Sequence, residues 1–129
     1  MKNNSLPFFA DASIVSNYRL LFKYWEIVRE DRDLFEKAFL NKSDFDYLKE
    51  IVETMPGIDV ASLLNMLVNR FIDRVNCEKA YRAYIETYGL NIDEKDACRE
   101  VARILAGWLI EAGRNTGILK YKYSWKKGE

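Results

Sequence analysis

The sequence predicts an all-α fold: one compact bundle of about five to six helices with a short strand-like C-terminal tail. Three observations carry that expectation. Apolar residues recur at the i, i+3, i+4, i+7 spacing of one helix side in stretch after stretch. Asp, Ser and Asn stand where helices should start, and Pro56-Gly57, Gly89 and Gly113 stand where they should stop. The 129 residues are the size of one domain, and 49% of them are hydrophobic, enough for a core. Residues 1–129 are therefore read as a single helical domain, with an apolar arm over 1–10 and a Lys/aromatic tail over 114–129.

In the arm, Leu6, Phe8 and Phe9 surround Pro7 and are too apolar to remain in water, so docking on the domain or on a second subunit is expected. Asp11 or Ser13 caps a first helix that runs to about Glu30. Its main stripe is Ile14, Tyr18, Leu21, Phe22, Trp25 and Val28, and Leu20, Tyr24 and Ile27 form a second apolar ridge. A short helix over Leu34–Leu40 follows the charged run Arg29–Asp33. Ser43, with Asp46 three residues on, is read as the cap of a third helix whose inner side is Phe45, Leu48, Ile51, Val52 and Met55. Pro56-Gly57 ends it, since proline cannot continue a helix and glycine tolerates the turn.

Asp59–Asn76 is the expected centre of the bundle. Val60, Leu63, Leu64, Leu67, Val68, Phe71, Ile72 and Val75 share one side, with Ser62, Asn65, Asn69 and Asp73 opposite and Met66 stranded among the polar residues. A kink or a new start at Asn76 leads to Ala80, Tyr81, Tyr84, Ile85 and Tyr88, stopped by Gly89. Asp93 caps the last long helix, which turns Ala97, Val101, Ile104, Leu105 and Trp108 inward and is expected to end at Gly113. Ala102 and Ala106 would let a neighbouring helix come close. In the tail, Leu119, Tyr121, Tyr123 and Trp125 alternate with Lys120, Lys122 and Ser124, the period of two that suits a strand.

Composition removes most catalytic classes. Twenty basic and twenty acidic residues balance, which argues against a whole-domain electrostatic grip on nucleic acid or anionic lipid. With no histidine, Ser–His and Cys–His nucleophiles and Glu-x-x-His metal pairs are excluded. Cys77 and Cys98, on separate predicted helices, make no zinc site alone; they could form one bridge, but the preferred reading is two reduced, packed thiols. The acidic pairs Asp31/Asp33, Asp44/Asp46 and Asp93/Glu94/Asp96 sit at predicted helix starts, where carboxylates satisfy free N–H groups; capping is preferred to a Mg²⁺ site. The expectation is a non-enzyme with no catalytic residue, metal or cofactor. No apolar run approaches the ~20 residues of a membrane span, and the N-terminal stretch lacks the pattern of a signal peptide. A cytoplasmic location with no membrane partner follows.

Leu40–Ile72 resembles a ribbon-helix-helix DNA-binding unit in Leu40, Phe45 and Leu48 and in the helix from Asp59. That family has a strand before its first helix and meets phosphate at the start of its second. Here Asp31–Asn41 reads as helix and Asp59 repels phosphate, so the family is not adopted. Tyr18–Leu48 is similar to the ligand-binding helices of TetR-like regulators, with no helix-turn-helix before it.

Two functional expectations remain. Surplus apolar surface at Phe8, Phe9, Leu20, Tyr24, Ile27 and Met66 points to a protein–protein interaction module: a homo-oligomer, or an adaptor or inhibitor of another protein. The alternative is a nucleic-acid-binding regulator whose tail stacks Tyr121, Tyr123 and Trp125 on bases. Arg114, Lys120, Lys122, Lys126 and Lys127 would then neutralise phosphates.

Overall fold

A computed structural model describes residues 12–119, with side chains from Tyr18 onward. The arm (Leu6, Phe8, Phe9) and the strand-like tail beyond Leu119 lie outside the described residues. Six helices follow one another: α1 (Ala12–Val28), α2 (Arg32–Lys37), α3 (Lys42–Thr54), α4 (Val60–Ile72), α5 (Cys77–Tyr88) and α6 (Glu94–Thr116). The fold is all-α as expected, with no strand among the described residues. None of these helices is long and apolar enough to cross a membrane.

The helix starts follow the cap chemistry. Asp31, Asp59, Asn76 and Asp93 each accept a backbone N–H from the first turn of α2, α4, α5 and α6. Ser43 is not the cap of α3. Asn41 is, in a reciprocal box: its Oδ1 accepts from Asp44 N at 3.1 Å, and Asp44 Oδ2 accepts from Asn41 N at 2.9 Å. Asn41 has the extended backbone of a cap, while Ser43 is already helical. Ser13 likewise falls inside α1. Gly89 ends α5 in the left-handed region at φ 71°, where a side chain would be strained.

The expected end at Gly113 is corrected. α6 continues to Thr116 and closes on Gly117 at φ 86°, with Ile118 N donating to Gly113 O at 2.9 Å. Gly113 serves packing instead, because a Cβ there would lie 2.5 Å from Leu48 Cδ2 of α3.

The centre of the bundle is α6 and not α4. α6 carries twelve buried residues against four on α4, and it touches α1, α3, α4 and α5. Ala97, Ala102, Ala106, Ala112 and Gly113 are buried there, and their small size lets helices approach from several directions. α4 contributes one flank through Leu63, Leu67, Val68 and Phe71.

Both ridges of α1 reach the core, through Tyr18, Leu21 and Val28 of the expected stripe and Leu20 and Tyr24 of the second. Leu20, Leu21, Tyr24 and Val28 are interior, with Leu20 1% and Tyr24 0% exposed, whereas Phe22 of the expected inner stripe is 39% exposed. α1 packs on both α5 and α6. Ala80 and Ala83 of α5 are buried there, and the Tyr24 hydroxyl accepts from Asn76 N at 3.0 Å. Burial pushes the Tyr24 phenol above its ordinary range.

The cysteines are corrected too. Cys77 and Cys98 are joined by a disulfide with their Cα atoms 4.6 Å apart, tying the start of α5 to the first turns of α6.

Candidate functional site

A separation of seven positions from Tyr18 to Trp25 makes two helical turns, so Tyr18, Phe22 and Trp25 fall on one line of α1 at i, i+4 and i+7. Tyr18 and Phe22 lie with ring centroids 5.9 Å apart, and Phe22 and Trp25 at 5.5 Å. Trp25 stacks on Phe39 of the α2–α3 connection, 4.7 Å away at an interplanar angle of 20°, and Phe35 meets Phe39 edge-on at 4.9 Å. The Trp25 indole N–H donates to Ala38 O at 3.0 Å, which fixes the ring. From α6, Trp108 meets Trp25 at 5.8 Å and Tyr18 at 6.3 Å, both edge-on.

Together these rings form a band across α1, the α2–α3 connection and α6. Tyr18 anchors it from inside. Trp25, Phe35, Phe39 and Trp108 are half-buried, and Phe22 is exposed. Large rings with few rotatable bonds lose little freedom on contact, and such residues dominate protein interfaces.

Charges flank the band on two sides. Near Tyr18, buried Glu111 receives Arg114 Nη1 at 3.2 Å on both carboxylate oxygens. Burial, and secondarily the Glu111 charge, push the Tyr18 phenol far above its ordinary value, so it stays a neutral ring at any physiological pH. On the other side, Arg74 holds the α2–α3 connection by its carbonyls: Nε donates to Lys37 O at 3.2 Å and Nη2 to Phe39 O at 2.7 Å. Arg74 Nη1 and Arg70 Nε also meet Asp44 Oδ1 at 2.6 and 2.9 Å. Asp44 is 0% exposed. Burial alone would raise its carboxyl, but Arg74, Asn41 N and Arg70 outweigh it and hold it below the ordinary carboxylate range. This network fixes Phe39, and so the floor of the band.

The residues expected from sequence are scattered by the fold. Leu20 and Tyr24 are core residues and present no surface to a partner, which corrects the expectation of a surplus ridge there. Ile27 on α1 and Met66 on α4 are half-buried and packed against the core. Phe8 and Phe9 lie outside the described residues. So do Lys120, Tyr121, Lys122, Tyr123, Trp125, Lys126 and Lys127. Arg114 is described, and its charge is engaged by Glu111.

The acidic pairs divide in role. Asp31, Asp59 and Asp93 cap helices, while Asp44 caps and also binds arginine. Among the described residues no three His, Cys, Asp or Glu side chains are placed to hold a metal ion.

Sequence reasoning missed the band because Phe22 and Trp25 share a stripe with the core residues Tyr18 and Leu21. The available signal was the width of the apolar surface: a helix apolar around most of its circumference must leave some of it outside. No protein-family model, curated protein or solved structure matches this chain.

Proposed function

We propose that this is a small non-catalytic protein–protein interaction module whose contact is the aromatic band of α1, with a second copy of the chain as its partner. The observation that supports the reading is Phe22, a large ring 39% exposed and flanked by half-buried Trp25, Phe39 and Trp108. Fully burying a large ring is worth about 1.5–3 kcal/mol, and the part of these rings still in water adds a share of that to a contact against the cost of association. A cytoplasmic location goes with this reading, and adaptor or inhibitor roles are its extensions to another protein.

Phe22→Glu tests it. The wild type is expected to be a dimer or larger by light scattering, and the variant a monomer with unchanged helical circular dichroism. A wild type that is monomeric at the highest soluble concentration removes the homo-oligomer.

The second reading, a nucleic-acid-binding regulator, is supported by the sequence alternation of lysine and aromatic residues over 119–127. It expects salt-sensitive retardation of DNA or RNA in a gel that is lost when Lys120, Lys122, Lys126 and Lys127 are replaced by Ala. Absence of retardation at low salt ends that reading.

A further inference from the structure

The Cys77–Cys98 bridge has two unlike ends. Cys77 is the first residue of α5, beside its cap Asn76, and is partly exposed. Cys98 is 1% exposed. Its Sγ lies 3.5 Å from Val75 O and 3.9 Å from Ile72 O. A bridged sulfur carries no hydrogen and has nothing to donate to those carbonyls, whereas a thiol S–H there has an acceptor already in place.

The corner that holds Cys77 does not depend on the bridge alone. Asn76 N is held by the Tyr24 hydroxyl at 3.0 Å, Asn76 Oδ1 receives Lys79 N at 3.0 Å, and Val75 is itself buried. The site is therefore furnished for both oxidation states.

We propose that Cys77–Cys98 is a reversible redox pair, opened and closed in the folded protein by exchange with thiols, with Cys77 the sulfur that is attacked. A dithiol reductant supplies the electrons. Its thiolate attacks Cys77 Sγ and forms a mixed disulfide, and the Cys77–Cys98 bond breaks with its electron pair going to Cys98 Sγ. Cys98 takes up a proton from solvent, and the resulting thiol donates a hydrogen bond to Val75 O. The second thiolate of the reductant then displaces Cys77, leaving the reductant as a cyclic disulfide. The reductant loses two electrons and two protons, and the protein gains them as two thiols. Oxidised dithiol runs the steps backwards. In a compartment that keeps thiols reduced the pair is open, and an oxidising burst closes it.

The test uses the full chain. Oxidised protein is treated with dithiothreitol without denaturant, trapped with iodoacetamide and mapped by mass spectrometry. Circular dichroism is recorded in both states. Two carbamidomethyl groups and an unchanged helical spectrum are expected, with recovery of the bridge in an untrapped portion once dithiothreitol is removed and oxidised glutathione is added.

Single variants assign the order. The thiol of Cys98→Ala (Cys77 remaining) should react with an aromatic disulfide reagent faster, by about tenfold or more, than that of Cys77→Ala (Cys98 remaining). Three results overturn the proposal: a bridge that yields only after unfolding in urea, a reduced protein that loses its helices, or equal reactivity of the two thiols. Two free thiols persisting in excess oxidised glutathione would overturn it as well.

Discussion

Leu20→Glu is expected to destroy the fold, and Phe22→Glu, two residues along the same helix, to leave it intact. Leu20 is 1% exposed where α1 packs on its neighbours, so the substitution removes a buried aliphatic group and puts a carboxylate in the core. Losing the packing alone costs about 2–5 kcal/mol, and burying the charge or its neutral form adds more. The sum, roughly 4 kcal/mol or more, is a large part of the ~5–15 kcal/mol that holds a domain together. Loss of the cooperative thermal transition is the expected reading. Phe22 is 39% exposed, so a glutamate there is hydrated. If the two variants behaved alike, the placement of the α1 ridges would be wrong. Comparing both by circular dichroism and light scattering separates a folding defect from a lost interface.

Asp44→Ala should cost about 3–5 kcal/mol, because it strands two cations whose shared carboxylate is buried. It also removes half of the capping box on α3. Arg74 would still reach Lys37 O and Phe39 O, but without its counter-charge the connection loosens and Phe39 leaves Trp25. Tryptophan fluorescence would then shift before the helices melt in a urea titration. The same network sets an acid limit. Asp44 stays ionised to lower pH in the folded chain than in the unfolded one. As pH falls, the unfolded chain therefore takes up that proton first. The contribution is complete above the ordinary aspartate range of about 4 and disappears as pH drops through the folded value. Thermal melts between neutral pH and pH 2 should show wild-type stability falling in that window, with a shallower fall in Asp44→Ala. Parallel curves would remove the network from the account.

Much of the architecture was legible along the chain, and the misses have a common cause. Asp31, Asp59, Asn76, Asp93 and Gly89 act where local chemistry places them, since a cap is satisfied by the next three or four residues. The apolar arc of α4 was legible for the same reason: its polar residues leave it one direction to face. α1 offers two arcs, and nothing local chooses between Leu20–Tyr24 and Phe22–Trp25.

By itself the sequence determined the all-helical class, the breaks between helices and the groups absent from any histidine-based chemistry. These depend on spacing, backbone propensity and composition, which act over a few residues or none. Only the tertiary structure decided that α6 is the centre, that Phe22 stays exposed beside a half-buried Trp25, that Cys77 meets Cys98, and that Arg70 and Arg74 close on Asp44. Alanine and glycine carry too little hydropathy to mark a centre. Partners 21 to 30 residues apart become neighbours only when helices pack, because the approach of two surfaces is a property of neither alone.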